Sequence, residues 1–272
     1  MKKKVCVTDY EYISDKVPAA FDNYKIAVLS DLHCKRIGRD NKRLINKVND
    51  IAPDLIICAG DMVTDNAKRM NVTYGLLQNL SERYNIIYAY GNHELKLRIN
   101  PRAHDRFISY INDVKNLGIN VLNNTSFELS KDNEHIHIFG LNINRRFYTK
   151  IWKKVYMGND YLDKLVGKPD NDELNILIAH NPEYFNNYSD WGADIVFSGH
   201  IHGGMVVLPY IGGVIAPSYR LFPYYDFGKY ENDDSTMFLS RGLGSHTIPL
   251  RIFNPPEIMN ITLRRTEDGH SC

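Results

Sequence analysis

The chain has 272 residues, of which 43% are hydrophobic, and this is enough to form the core of one large α/β domain. Its 33 basic and 32 acidic residues give a formal net charge of +1, so overall charge provides no attraction to nucleic acid. Four cysteines without a C-x-x-C pair argue against a disulfide framework, and no apolar run approaches the roughly 18 residues that span a bilayer. We therefore expect a single domain over residues 1–272, located in the cytoplasm and at most peripheral to the membrane.

The first half of the chain alternates between short apolar runs and amphipathic stretches. After an edge strand expected within residues 5–23, continuous apolar runs predict buried strands at 25–30, 55–59 and 86–90. Apolar residues at helical spacing predict helices that follow these strands, at 40–51, 72–80 and 107–117. This alternation predicts parallel strands joined by right-handed crossovers. In such sheets, ligands bind beyond the carboxyl ends of the strands.

The period of the pattern changes beyond residue 121. A hairpin is predicted at 126–129 and 135–139, where apolar and polar residues alternate in the second strand. Further strands are expected in the apolar runs at 175–179, 193–197, 205–208, 237–240 and 258–263. The last two are expected to close a second sheet, which is more antiparallel than the first and packs against it.

Polar residues of one chemical kind follow the predicted strands. His200 and His202 stand one residue apart after an apolar run, and side chains at that spacing in an extended chain project from the same face. The nitrogen and oxygen donors at these strand ends, with no thiolate among them, suit divalent Mn, Fe or Zn; they are Asp31, His33, Asp61, Asn92, His180, His200 and His202. These are too many ligands for one tetrahedral site and suit two neighbouring ions bridged by a carboxylate, a role open to Asp31 and Asp61.

A pair of such ions favours phosphoester hydrolysis. Two ions about 3.5–4 Å apart hold both an attacking hydroxide and a phosphoryl oxygen, and the pKa of metal-bound water falls from about 15.7 to near 7. The pattern therefore predicts a two-metal phosphohydrolase that cleaves phosphodiester or pyrophosphate bonds through a metal-bridging hydroxide.

The same residues carry a family resemblance. Asp31-x-His33, Gly60-Asp61, Gly91-Asn92-His93-Glu94, His180 and Gly199-His200-x-His202 resemble, in order, the five motifs of the calcineurin-like metallophosphoesterases. Later passages at 240–244, 249–251 and 255–258 are similar to the branch that contains the bacterial phosphoesterases YkuE and YaeI. That branch is itself similar to an enzyme that cleaves the pyrophosphate of UDP-diacylglucosamine.

The resemblance implies a fold and a set of residue roles. The fold is a four-layer α/β/β/α sandwich of two mixed sheets. Two divalent ions are implied, with manganese expected and iron or zinc as alternatives. The implied ligands are Asp31, His33 and His202 for the first ion and Asn92, His180 and His200 for the second, with Asp61 bridging. His93 is implied to lie over the phosphate, where it stabilises the transition state or protonates the leaving oxygen.

The sequence departs from the protein phosphatases of this fold at three positions. Those enzymes carry phosphate-clamping arginines, one of them beside an aspartate, where this chain has Thr64, Asp65 and Tyr90. The departure argues against a protein phosphatase. It also leaves the residue that orients His93 to be identified, and Asp65 is the candidate.

Contacts to the substrate are less sharply indicated. The expected substrate is a small phosphorylated molecule, such as a nucleotide-lipid or another small phosphodiester, and candidate contacts are Arg241, His246 and Tyr224. Two alternatives are a nuclease of the same fold and a catalytically silent binding scaffold. No obligate protein partner is evident, and His104, His135, His137 and His270 are interpreted as structural or surface residues.

The basic, aromatic segment 145–156 has two interpretations. As a basic amphipathic stretch it is a candidate membrane-surface contact. The simpler interpretation is a surface helix or loop whose apolar stripe packs on the core.

Overall fold

The computed structural model describes residues 4–65, 67–148, 155–203, 206–208, 212–215, 224–244, 251 and 253–266. Its strands are β1 (Cys6–Ser14), β2 (Lys25–Leu29), β3 (Leu55–Ala59), β4 (Asn85–Ala89), β5 (Asn120–Leu122), β6 (Thr125–Lys131), β7 (Glu134–Leu141), β8 (Asn175–Ala179), β9 (Ile195–Ser198), β10 (Val206–Leu208), β11 (Gly212–Ile215), β12 (Gly228–Asn232), β13 (Ser235–Leu239) and β14 (Glu257–Arg265). Its α-helices are α1 (Lys42–Ile51), α2 (Met70–Ser81), α3 (Asn92–Ile99), α4 (His104–Asn116), α5 (Tyr161–Val166) and α6 (Phe185–Trp191).

Two six-stranded mixed sheets form the framework. The first has the order β1-β14-β2-β3-β4-β5 and is parallel except between β14 and β2. The second has the order β12-β13-β9-β8-β7-β6, with parallel pairs in the centre and antiparallel pairs at both ends. Strands β10 and β11 form a separate antiparallel pair.

The two sheets pack face to face and carry helices on their outer faces. Alternate residues explain this: Ile26 of β2 lies in the core between the sheets, whereas its neighbour Ala27 lies in the core under α1, α2 and α4. On the second sheet, Ile176 faces the first sheet and Leu177 faces α5 and α6. Strands buried on both faces read as continuous apolar runs. The four-layer α/β/β/α sandwich is therefore confirmed.

Two parts of the sequence interpretation need correction, the sheet to which the last strand belongs and the missing helix α3. The strand predicted at 258–263 does not close the second sheet; as β14 it lies in the first, antiparallel to β2 with Ile261 opposite Ile26. The second sheet is more antiparallel than the first, as predicted, with two antiparallel pairs against one, and its central pairs are parallel. Helix α3 was not predicted, because it buries only one apolar side chain, Leu97, and shows little helical periodicity. The edge strand expected within 5–23 is confirmed as β1.

Among the described residues, none of the helices is both long and apolar enough to cross a membrane.

Candidate metal centre

The loops that follow β2 and β3 run side by side at the carboxyl edge of the first sheet. Parallel pairing continues past the strands, because the N–H groups of Asp31 and His33 donate to the carbonyls of Gly60 and Asp61, each at 3.0 Å. This pairing holds the carboxylates of Asp31 and Asp61 in the interior, where both residues are at most 1% exposed. Two buried carboxylates at one sheet edge require a positive partner.

Glu94 joins the Asp61 loop to the first turn of α3. Its fully buried carboxylate accepts hydrogen bonds of 2.8–3.2 Å from the N–H groups of Asp61, Gly91, Met62 and Val63 and from the Tyr88 hydroxyl. Burial raises the pKa of Glu94 to about 7, while donors of this kind favour the ionised carboxylate. Glu94 thus fixes the backbone on which the Asp61 carboxylate stands.

Asp61 also caps the approach to α3. Its Oδ1 accepts a hydrogen bond from the N–H of His93 at 2.8 Å, which leaves Oδ2 facing the cluster. Gly91 permits this contact, since a Cβ atom there would collide with the Asp61 carboxylate.

Residues that follow β8 and β9 complete the cluster from the second sheet. His180 is fully enclosed, and its Nδ1 lies 2.8 Å from the carbonyl of Ala59 in the first sheet. A carbonyl only accepts, so Nδ1 carries a proton, and Nε2 is the nitrogen that faces the cluster and is available to a metal ion. The N–H of His200 donates to the carboxylate of Asp31 at 3.2 Å. Both residues of the second sheet are therefore docked on the first.

The side-chain atoms of the cluster lie close together. Asp31 Oδ1 lies 3.2 Å from His202 Nε2, 3.8 Å from His33 Nε2 and 3.7 Å from His180 Nε2. The two rings of His33 and His202 are stacked, with their Nε2 atoms 3.1 Å apart. Asp61 Oδ2 lies 3.1 Å from His180 Nε2.

Three overlapping groups have ligand atoms that all lie within 4.8 Å of one another. They are Asp31, His33 and His202; Asp61, His180 and His200; and His33, Asp61 and His93. The buried Oδ1 of Asn92 finds no hydrogen-bond partner among the described residues, and an unused buried amide oxygen is expensive unless a ligand satisfies it. The nitrogen and oxygen donors present, with one oxygen unused, fit divalent cations.

The pKa values of the buried groups show that the site favours a positive charge. Burial opposes protonation of His180, but Asp61 and Asp31 beside it outweigh burial and raise its pKa to about 10. Burial raises the pKa of Asp31 to about 6. Burial likewise opposes ionisation of Asp61, yet His180 and His93 hold its pKa well below the ordinary value. The buried carboxylates of Asp31 and Asp61 therefore stabilise a positive charge placed beside them.

The backbone is strained at five of the seven predicted ligands. The φ angle is 53° at Asp31, 50° at His33, 51° at Asp61, 72° at His200 and 56° at His202. Residues other than glycine rarely adopt this left-handed region, and each instance costs on the order of 1–3 kcal/mol. Such strain concentrates where function requires it.

Comparison with known proteins identifies the family. The sequence pattern of the calcineurin-like phosphoesterases matches residues 24–204, which is more than half of the chain. The chain belongs to the calcineurin-like phosphoesterase family. It is a metal-dependent phosphoesterase, and divalent cations are its implied cofactors.

Two relatives of this phosphoesterase are named metallophosphoesterases, and one similar solved structure is reported with them. The uncharacterized metallophosphoesterase YkuE of Bacillus subtilis is 28% identical over 268 residues, covering 95% of this chain and 85% of the relative. An uncharacterized metallophosphoesterase of Helicobacter pylori is 28% identical over 243 residues, covering 88% of this chain and 59% of the relative. A phosphopantetheinyl hydrolase from Mycobacterium tuberculosis has a similar solved structure, with a TM-score of 0.43, 15% identity and coverage of 80% of this chain and 89% of that one.

His93 of this phosphoesterase is oriented by a backbone group. Its Nδ1 accepts a hydrogen bond from the N–H of Asp65 at 3.0 Å, so the neutral ring carries its proton on Nε2. Nε2 lies 3.8 Å from Asp61 Oδ2. Burial lowers the pKa of His93. Asp65 does contact His93, as the sequence suggested, but through its main-chain amide.

The candidate substrate contacts are less central. The guanidinium of Arg241 lies over the Phe227 ring, 3.7 Å from its centroid, and Nε lies 3.6 Å from the buried carboxylate of Glu257. Its charge is therefore already paired. Tyr224 is 79% exposed and packs edge-on against Tyr225. His246 lies outside the described residues, and all three contacts remain predictions.

The membrane contact predicted at 145–156 is described only in part, since residues 149–154 lie outside the described residues. Phe147 is buried against Tyr184 and Tyr161, as the core-packing interpretation requires. The membrane contact remains a prediction.

Sequence reasoning assigned no role to Glu94 or Tyr148. A signal for Glu94 was present, because a Glu three residues after an N-cap position marks a capping box. Tyr148 packs edge-on against His200, with 5.2 Å between the ring centroids, and nothing in the sequence pattern indicates this contact.

Proposed function

We propose that this phosphoesterase hydrolyses phosphodiester or pyrophosphate bonds in small phosphorylated molecules with two divalent ions held side by side. Manganese is the expected metal, with iron and zinc as alternatives. One observation carries the proposal: the groups Asp31–His33–His202 and Asp61–His180–His200 are each tight enough for one ion and adjoin each other. Asp31 Oδ1 lies only 3.7 Å from His180 Nε2 across the boundary between them.

Each ion has its own set of ligands in this proposal. Asp31, His33 and His202 hold the first ion, and the second is held by Asn92, His180 and His200. Asp61 lies between the two sets, which is supported by its membership of a close group with His33 as well as with His180. Divalent ions bound there would polarise phosphoryl oxygens and lower the pKa of water.

His93 acts as a hydrogen-bond donor to the substrate. The Asp65 amide occupies Nδ1, so the proton on Nε2 is directed toward the cluster. From there Nε2–H donates a hydrogen bond to a phosphoryl oxygen or to the departing oxygen, without giving up its proton. Because burial lowers its pKa, the ring acts as a neutral donor and does not add a permanent positive charge.

The surroundings of His93 favour a monoanionic diester over a dianionic monoester. Tyr90, at a position where protein phosphatases carry an arginine, is buried and packs edge-on against Phe107, away from the cluster. A groove lined by Asp65, Lys96, Ile99, Asn100 and Arg145 begins beside His93. Its acidic residue opposes a second negative charge on the reacting phosphate, while Lys96 and Arg145 attract an anionic group further along the substrate.

The test compares two chromogenic substrates on metal-depleted protein reconstituted with Mn²⁺. We expect turnover of bis(p-nitrophenyl) phosphate to exceed that of p-nitrophenyl phosphate by at least about tenfold, and activity to vanish with chelator. A nucleotide-sugar pyrophosphate tests the second bond type. Faster hydrolysis of the monoester would overturn the diester assignment, and one metal ion per catalytic cluster at full activity would overturn the two-metal assignment.

The alternatives make different predictions in the same assays. A nuclease degrades single-stranded DNA with a steep dependence on salt, because phosphate contacts release counterions. A silent scaffold binds metal and turns over none of these substrates. Either result replaces the proposed function.

A further inference from the structure

A second group of histidines lies on the outer face of the second sheet. In the antiparallel pair β6–β7, Glu128 stands opposite His137 and Ser130 opposite His135. Residues directly opposite each other share a face, and so do residues two apart along a strand. His135, His137 and Glu128 therefore project together, whereas Ile136 and Ile138 between and beside them enter the core between the sheets.

Glu173 reaches this group from the loop before β8. Its Oε1 lies 2.8 Å from His135 Nε2, and its Oε2 contacts His137 Nε2. The loop is held in place, because the N–H of His137 donates to the carbonyl of Leu174 at 3.0 Å and the Asn175 side chain donates to the carbonyl of Glu173 at 2.9 Å. The carboxylate is thus aimed at both imidazoles by backbone contacts.

Glu128 approaches the imidazoles as a second carboxylate. One ligand atom each of Glu128, His135 and His137 lies within 4.8 Å of the others. The two rings stand edge-on, 5.3 Å between centroids, and are 38% and 23% exposed at the side chain. Three separate chain segments thus bring two imidazole nitrogens and two carboxylates to one partly sheltered place.

We propose that His135, His137, Glu173 and Glu128 form a second metal site, separate from the catalytic centre, for a transition-metal ion of the zinc class. Glu128, His135 and His137 supply two nitrogen donors and one oxygen donor within 4.8 Å of one another. Glu173, which contacts both imidazoles, is the candidate fourth ligand for the tetrahedral set that Zn²⁺ prefers. Imidazole nitrogens favour zinc, copper and nickel over magnesium or calcium. An ion of charge two also balances the two carboxylates.

The site is independent of phosphoester hydrolysis. His137 pairs with Asn175, the first residue of β8, whereas His180 follows the last residue of this five-residue strand. At about 3.3 Å per residue, the first and last residues of this strand are about 13 Å apart. An ion here would tie the β6–β7 hairpin to the loop before β8, and we therefore expect it to stabilise the fold without changing turnover.

The experiment measures the number of zinc ions bound per chain. Metal-free full-length protein is dialysed against buffered Zn²⁺, and bound zinc is measured by elemental analysis for wild type and for His135→Ala/His137→Ala. We expect the double variant to bind one zinc per chain fewer, and its zinc-induced rise in Tm to be lost. His104→Ala is the matched control, since it removes an exposed histidine that lies outside every close group of potential ligands in the described chain.

Two further variants separate this site from the catalytic one. Glu173→Gln keeps the shape of the side chain, and we expect at least tenfold weaker zinc binding in a protein whose Mn²⁺-dependent phosphodiesterase activity is that of wild type. Asp61→Asn lowers the count at the catalytic centre only. Equal zinc content in wild type and the double variant would overturn the proposal and show that Glu173 only hydrogen-bonds the two histidines.

Discussion

The catalytic cluster has two sides that are built differently. On the first-sheet side, the Asp31 and Asp61 loops are joined by direct backbone pairing, and Glu94 ties the Asp61 loop to α3. On the second-sheet side, the contacts of His180 and His200 described above run to Ala59 and Asp31 of the first sheet. We call the first-sheet side the frame, because its loops are held together by their own hydrogen bonds. We call the second-sheet side the docked side, because its residues are held by contacts to the frame. Changes in the frame should therefore disturb both sides, and changes in the docked side should stay local.

The largest effect is expected at Asp61, which touches both sides. Asp61→Ala removes the carboxylate that faces His180 and accepts from the His93 N–H. We expect kcat/KM on a diester to fall by on the order of 10³-fold, since the loss of one preorganised electrostatic group costs this much, and bound Mn²⁺ to fall by at least one ion per chain. Near-normal turnover with full metal content would contradict the frame as described.

A substitution at His93 tests whether a residue of the frame contributes to catalysis without binding a metal ion. His93→Ala should lower kcat by about 10²-fold, the lower end of what the loss of one preorganised hydrogen-bond donor costs, and leave Mn²⁺ content and Tm unchanged. His93→Gln is the matched control, because its amide retains a hydrogen-bond donor of similar reach. Loss of metal in either variant would make His93 a ligand, as its closeness to His33 and Asp61 also permits.

The sequence could predict the ligands on both sides of the cluster but not all of the contacts that position them. Asp31, Asp61 and Asn92 follow strands with clear apolar runs, so both their position and their order along the chain are readable. The sheet membership of β14 was not, because Met259, Ile261 and Leu263 form a buried run that suits either sheet. The Asp65 amide contact to His93 and the Tyr148 contact to His200 depend on backbone direction and on distant packing, which residue types alone do not encode.

A substitution at Glu94 tests whether the hydrogen bonds that its carboxylate accepts hold the frame together. Glu94→Gln replaces one acceptor oxygen by an NH₂ group that faces N–H donors, so at least one charged hydrogen bond is lost at about 1.5–3 kcal/mol. We expect a loss of this size in the free energy of unfolding, together with about 10- to 100-fold weaker Mn²⁺ binding. Tyr88→Phe is the control: it removes only the hydroxyl donor and should cost about 1 kcal/mol. A stable Glu94→Gln protein with normal metal affinity would show that the loop does not need this carboxylate.

The smallest effect is expected on the docked side, at Tyr148. Tyr148→Leu removes an edge-on aromatic contact to His200 that is worth about 0.5–1.5 kcal/mol. Affinity for Mn²⁺ should fall by about 2- to 10-fold for one of the two ions, as measured by titration calorimetry, while the other ion keeps its affinity. The double variant Tyr148→Leu/Glu94→Gln tests most directly whether the docked side depends on the frame. If the docked side depends on the frame, the two losses in affinity will not add, because a displaced Asp61 loop already weakens the site of His180 and His200. Additive losses would instead mean that the two sides of the cluster are positioned independently.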